Sequence, residues 1–396
     1  MKGSIIVTTK DKILSQHSHH GILDIQPEMK VNNAEQLGTA YTPGVAVLSK
    51  LLARYPELKN KYTMSGKLVA VVTDGTAVLG LGNIGPAGGL PVVEGKALLD
   101  KTLANVDAVP ITVAQKSPDE VVDVLTDISQ SFAGFHLEDI AAPRCFEIEK
   151  KLQEAVNIPV YHDDQEGTAI AVLAGLINSA KVVGKKLEDL KVVINGVGAS
   201  GWATGKLLLA AGIKDLTLVD IDGPVHYDST HYNKYQVGLA KESANHSKYK
   251  DLSEAVKDKD VFIGLSDADV LSGEQLKTMA DKPIVFALAN PKPEIDPAVA
   301  HKVGVGVMAT GSSQYPNQVN NILVFPGLYK GLLNTDLKKV DIKLEIAIAK
   351  AIAGMVSQPV ASKVIPGVFD DGVIETVAGA VELYGNEQDD ERKEEK

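Results

Sequence analysis

The chain has 396 residues, 44% of them hydrophobic and 23% charged, with a formal net charge of −11. That length exceeds one ordinary core and predicts two domains; the balance is that of a globular protein; and the acidity argues against a sequence-independent grip on nucleic acid, which needs a basic face. A single cysteine, Cys145, excludes an intrachain disulfide and fits a reducing cytoplasm.

The start, Met1-Lys2-Gly3-Ser4, lacks the apolar core of a secretory signal. The most apolar stretch, Thr168 to Ala180, is too short to cross a bilayer and reads as a buried helix. A cytoplasmic protein with no membrane partner is expected. Further along, Tyr41-Thr42-Pro43-Gly44 marks a turn into a helix through Leu48 to Tyr55. Lys67 to Thr73 is a β-rich apolar run and predicts a buried strand. It enters a loop holding Gly75, Gly80, Gly82, Gly85, Gly88 and Gly89, and a helical pattern resumes near Glu94 and runs to Ala104. Pro110 to Val113 predicts a strand. Ser117-Pro118-Asp119-Glu120 has the cap, proline and acids of a helix start. Phe135 to Leu137 is a strand leading to Glu138-Asp139, Pro143 opens a helix through Leu152, and Pro159 to His162 is a short strand ending at Asp163-Asp164. This alternation predicts a mostly parallel sheet.

From Lys191 the alternation is regular. Strands are predicted at Lys191 to Asn195, Leu216 to Asp220, Val261 to Gly264, Ile284 to Ala287 and Val305 to Met308, with helices at Ser200 to Ala211 and around Leu252 to Val256. That is a doubly wound nucleotide-binding pattern. Lys338 to Met355 predicts a C-terminal covering helix or dimer surface. The expected fold class is therefore α/β: an N-terminal α/β domain over 1–160, a Rossmann-like doubly wound nucleotide-binding domain over 161–385 with C-terminal helices covering it, and a charged disordered tail over 386–396.

Two features carry chemistry. The fingerprint Gly196-Val197-Gly198-Ala199-Ser200-Gly201 follows a strand and opens a helix. Gly196 permits the tight turn, Gly198 lets the backbone approach a pyrophosphate, and Gly201 allows close helix packing. The phosphates would sit at the helix N-terminus, among the amides of Ala199 and Ser200. Asp220 ends the next strand, placed to accept hydrogen bonds from the adenosine ribose. An acid there repels a 2′-phosphate, and Ile221-Asp222-Gly223-Pro224 offers no cation to compensate, so NAD is favoured over NADP. The second feature is a pair of acidic motifs, Glu138-Asp139 and Asp163-Asp164. Glu138, Asp139 and Asp164 are hard oxygen donors that suit Mn²⁺ or Mg²⁺ rather than Zn²⁺; solvated strand ends or helix caps are the bland reading of the same residues. Asp163 reads as a ligand or as a group steering Lys96. His136 and His162 read as packed on strands, and the His17, His19, His20 cluster as surface.

Taken with Tyr41-Thr42-Pro43-Gly44-Val45-Ala46, Thr73-Asp74-Gly75-Thr76, Val93-Glu94-Gly95-Lys96, Phe286-Ala287-Leu288-Ala289-Asn290-Pro291 and Tyr315-Pro316-Asn317-Gln318-Val319-Asn320-Asn321, these motifs resemble the malic enzymes of the short prokaryotic class, from about residue 35 to about residue 380. The resemblance implies oxidation of (S)-malate to oxaloacetate and its decarboxylation to pyruvate and carbon dioxide, with NAD or NADP and Mn²⁺ or Mg²⁺. It implies a metal on Glu138, Asp139 and Asp164, Lys96 as general base, Tyr41 as general acid, Lys96, Asn290 and Asn320 against the substrate, Asn290 also against the cofactor, and a homodimer. A soluble oxaloacetate decarboxylase with little malate oxidation is the alternative within the same resemblance. Ala77 stands near the place of a substrate-gripping arginine in the longer eukaryotic-type enzymes, and Thr310-Gly311-Ser312-Ser313-Gln314 departs from the charged version common in the short class.

Overall fold

The computed structural model describes residues 9–18 and 20–394, and contains two parallel-stranded sheets joined by one buried helix. The first sheet has strands β1 (Leu68–Thr73), β2 (Asp107–Thr112), β3 (Gly134–Leu137) and β4 (Val160–His162) in the order β2-β1-β3-β4. All three pairings are parallel, with Val72 opposite Leu137 and Leu137 opposite His162. Apolar runs such as Leu68-Val69-Ala70-Val71-Val72 suit strands covered on both faces. Parallel register brings the C-terminal ends of β1, β3 and β4 to one edge, and those ends carry Asp74, Glu138 and Asp163.

The second sheet comprises β5 (Lys191–Asn195), β6 (Asp215–Asp220), β7 (Gly223–Val225), β8 (Val261–Gly264), β9 (Ile284–Ala287) and β10 (Val307–Thr310), ordered β10-β9-β8-β5-β6-β7. Only β7 runs antiparallel among these strands. The order reverses at β5 and β8, which creates the crevice where doubly wound sheets hold nucleotides.

Between the sheets lies the helix Thr168–Val183, which buries eleven of its residues, from Ala169 to Ala180. Together with the preceding turn Asp163–Gly167 it makes a helical span of 21 residues, Asp163–Val183, long and apolar enough to cross a membrane, yet its most apolar window is 67% buried inside the protein. It packs on Phe286 of the second sheet and on the C-terminal helix Ile342–Gly354, and shares one apolar core with Val192 and with Val377 of the last helix, Val373–Glu394. A separate core forms where the first sheet meets the helices Pro118–Ile128 and Arg144–Ala155. By contrast, the helices Thr9–Gln16, Ala34–Ala40 and Gly44–Arg54 bury no residue, and Ile25, Met29, Leu37 and Val47 near or on them are exposed. His20 is exposed and His17 half-buried; His19 lies outside the described residues.

Several boundaries differ from expectation for physical reasons. The helix expected near Glu94 spans Gly85–Ala104. Its glycines are poor helix formers, but Pro86 suits the first turn, and Gly89 packs so tightly that a Cβ would lie 2.9 Å from Thr73 Cγ2. The tail expected to be disordered from 386 instead continues the helix Val373–Glu394. Its glutamates, glutamine, lysine and arginine are good helix formers and no proline interrupts them. The helix expected from Lys338 starts at Ile342, because Asp341 accepts hydrogen bonds from the amides of Lys343 and Leu344 and sets its cap there. The short β7 was not predicted; it pairs next to the Asp220–Gly223 turn.

Candidate active site

Lys96 lies on the helix Gly85–Ala104, whose neighbouring strand β1 pairs with β3. Its ammonium hydrogen-bonds to Asp163 and stands 3.3 Å from Glu138 Oε1. It also donates to Asn321 Oδ1 at 3.3 Å and lies over the Phe325 ring, 4.4 Å from the centroid. Asp163 is fully buried and takes a second hydrogen bond, 2.6 Å, from the Tyr161 hydroxyl. The Glu138 carboxylate is approached by His136 Nε2 at 3.3 Å. His136 is also buried and stacks on Tyr329, whose hydroxyl donates to Phe135 O at 2.7 Å. The helix Phe325–Leu332 thus returns from the second half of the chain to close the site over the first sheet.

Glu138, Asp139 and Asp164 converge, each offering a carboxylate oxygen within 4.8 Å of the others. Asp164 Oδ2 accepts the backbone N–H of Asp139 at 2.7 Å, which ties the two acidic motifs together. Asp139 adopts the left-handed conformation, φ 55°, and its carbonyl accepts the amide of Ala77 at 3.0 Å. That bond links it to the loop after β1. There Asp74 accepts from the Thr76 amide at 3.1 Å and pairs with Arg144 at 3.1 Å. Three oxygen donors on one edge, two of them buried and no sulfur among them, fit a hard divalent cation that keeps positions open for other ligands.

The charges in this cluster oppose one another. Burial favours neutral Lys96, but Asp163 and Glu138 outweigh it and raise the lysine above its ordinary pKa. Burial pushes Glu138 and Asp164 up to about 8, with neighbouring acids adding to the shift and Lys96 resisting it. Burial drives His162 down to about 3.

At the cofactor crevice, Gly196 has φ 97°, and a Cβ there would lie 2.4 Å from Leu265 O. A Cβ on Gly201 would lie 1.8 Å from Gly196 O, so the helix Ala199–Ala210 can approach the turn only with glycine at that position. Gly198 faces open space and caps that helix without a side-chain hydrogen bond, leaving room and free amides of the kind a pyrophosphate needs. Asp220 closes β6 beside this turn, its Oδ1 accepting the Ile221 amide at 2.9 Å.

Other residues singled out by sequence fall differently. Asn320 Oδ1 accepts the Ile322 amide at 3.0 Å and caps the short turn Asn321–Leu323, while its neighbour Asn321 reaches Lys96. Asn290 is exposed, and its side-chain amide approaches Leu288 O at 3.4 Å beside Gly311. Tyr41 is 66% exposed at the end of the helix Ala34–Ala40, and its hydroxyl makes no hydrogen bond among the described residues. Asn321, Tyr161, Phe325 and His136 were not anticipated as parts of the site. The adjacent asparagines at 320 and 321 were the one local signal, and it does not say which of the two turns inward.

A doubly wound crevice beside a buried lysine–carboxylate cluster defines a dinucleotide-linked α/β dehydrogenase. The sequence matches the domain families "Malic enzyme, N-terminal domain" over residues 23–117 and "Malic enzyme, NAD binding domain" over residues 165–381. It is 45% identical over 383 residues to an NAD-dependent malic enzyme of Geobacillus stearothermophilus, covering 96% of this chain and 80% of that protein. It is 40% identical over 356 residues to an NADP-dependent malic enzyme of Halomonas elongata, covering 89% and 83%. The crystal structure of an NAD-dependent malic enzyme from Thermotoga maritima superposes with a TM-score of 0.91 at 41% identity, covering 94% of this chain and 99% of that one. The chain belongs to the malic enzyme family, whose reaction is the oxidative decarboxylation of malate to pyruvate and carbon dioxide.

Proposed function

We propose that this chain is an NAD-linked, metal-dependent malic enzyme that converts (S)-malate to pyruvate and carbon dioxide in the cytoplasm, as a homodimer. The observation that carries the reading is the meeting of Lys96 with Glu138 and Asp163 beside the Glu138–Asp139–Asp164 donor set. Mn²⁺ or Mg²⁺ held by those three carboxylates would supply the Lewis acid of the reaction, and its charge would oppose that of Lys96. Neutral Lys96 accepts the proton of the substrate 2-hydroxyl as hydride leaves for the nicotinamide. Asp163 aims the amine, and is itself fixed by the Tyr161 hydroxyl. Asn290 and Asn320 are assigned to the substrate from the family pattern, and the inward-facing Asn321 joins them because it already contacts Lys96.

Tyr41 is assigned as the acid that protonates carbon 3 of the enol. Its exposure, and the uncovered faces of the helices around it, are the reason for proposing that the working site forms in the dimer. Gly196, Gly198, Ala199, Ser200 and Gly201 receive the pyrophosphate and Asp220 the ribose, which favours NAD over NADP. The catalytic domain would span 1–160 and the NAD domain 161–385, meeting at the turn Asp163–Gly167. The test is cofactor reduction with malate and Mn²⁺ or Mg²⁺, using NAD and NADP in parallel, alongside carbon dioxide release from oxaloacetate. Decarboxylation without reduction of either cofactor would reject the oxidative reading in favour of a lyase.

A further inference from the structure

Asp220 does not stand alone at the end of β6. Gln236, in the helix Lys234–Glu242, donates one amide hydrogen bond to Asp220 Oδ2 and another to Val197 O at 3.2 Å. Val197 is the residue between the first two fingerprint glycines, so a single side chain spans the pyrophosphate turn and the ribose carboxylate. Gln236 is only 7% exposed. Its Oε1 is also engaged: it accepts the Asn233 amide at 3.2 Å and Asn233 Nδ2 at 2.7 Å. In return Asn233 Oδ1 accepts the Gln236 amide at 3.1 Å, a reciprocal capping box that roots the side chain in its helix. The two Asn233 donors fix the orientation of the Gln236 amide. Rotating it by half a turn would set its oxygen against both a carboxylate and a carbonyl, so only the observed orientation satisfies every group.

We propose that Gln236 is a positioning residue for cofactor specificity, which locks the Asp220 carboxylate in its ribose-accepting orientation while leaving the charge that repels a 2′-phosphate uncancelled. A carboxylate at a strand end can rotate, and a rotated Asp220 would neither accept the two ribose hydroxyls nor oppose a phosphate at a fixed place. A cation in place of Gln236 would hold Asp220 but neutralise it. A neutral amide donor holds it at full charge. Because the same amide also grips Val197 O, it sets the spacing between the ribose acid and the pyrophosphate turn. This inference rests on the proposed NAD preference and on Asp220 as its source.

The test is calorimetric titration of the full chain with NAD and with NADP. The proteins are the native chain, Gln236→Met, Gln236→Glu, Asp220→Asn and the double variant Gln236→Met with Asp220→Asn, each checked for an intact thermal transition. Gln236→Met should weaken NAD roughly tenfold, the size of one hydrogen bond to a charged group, and should weaken NADP less, so that the preference ratio falls. Gln236→Glu keeps the capping-box acceptor but removes both donors; it too should bind NAD at least roughly tenfold more weakly. In the Asp220→Asn background the Gln236→Met change should leave the ratio where Asp220→Asn alone puts it, because the group being positioned is no longer charged. A ratio that collapses in Asp220→Asn but is untouched in both Gln236 variants overturns this inference while sparing the Asp220 assignment. A ratio unmoved by Asp220→Asn overturns both.

Discussion

Cation binding at the Glu138–Asp139–Asp164 edge should be strongly dependent on pH, and the structure sets the sign. Glu138 and Asp164 have pKa values raised to about 8, against ordinary values of 4.5 and 3.8. Near neutrality the metal-free fold therefore keeps protons that the unfolded chain has already lost. Between about pH 4 and pH 8 these two groups make the folded state the better proton binder, so their contribution to metal-free stability falls as pH rises through that window. A cation needs the same carboxylates deprotonated and must displace those protons. Each released proton gives a factor of ten in affinity per pH unit, so from pH 6 to pH 7 the affinity for Mn²⁺ should rise by up to about 100-fold, or ~2.7 kcal/mol. Calorimetry in two buffers of different ionisation enthalpy counts the protons directly. Asp164→Asn should remove one of them and flatten the slope accordingly. An affinity that stays level between those pH values, with no proton released, would refute the reasoning.

Other consequences follow from the same geometry. Asp139→Asn should abolish both malate-dependent cofactor reduction and carbon dioxide release from oxaloacetate, measured on the same preparation. Tyr41→Phe should leave the oxidation of malate in place while slowing pyruvate formation; equal losses in both steps would remove Tyr41 from the proton-donor role. Gly201→Ala puts a methyl group 1.8 Å from Gly196 O. It should cost more than about 2 kcal/mol in denaturant unfolding and eliminate NAD binding, since the turn must open to admit it.

Much of this architecture could be read from the sequence because its signals are local. The strand Lys191–Asn195 and the turn after it announce themselves through an apolar β-branched run followed by spaced glycines. Ser117 likewise caps the helix start that its sequence announces, and Glu120 completes a capping box with it. The acidic motifs were legible because both end short apolar strands, and parallel pairing of β3 with β4 brings such ends together. What escaped the sequence depends on distant partners. Asn321 meets Lys96 across 225 positions, and neither neighbourhood hints at the other. The first turns of the helix Gly85–Ala104 are rich in glycine, and their helicity comes from packing on β1 rather than from propensity. The charged end of the last helix is not legible in the sequence, because polarity alone does not separate a solvated helix from a loose tail.

The helix Thr168–Val183 leaves the ribosome long before the C-terminal helices that complete its core. Phe286, Leu344 and Val377, which belong to its core in the finished protein, are still to be translated. At ordinary synthesis rates the last of these trails it by about 200 residues, or roughly 10–40 s. Early in that interval the most apolar segment of the chain has chiefly the N-terminal sheet beside it, and Asn321 and Phe325 have yet to arrive. Early folding can therefore shape the acidic edge but cannot finish it, because Asn321 and Phe325 come from the far half of the chain.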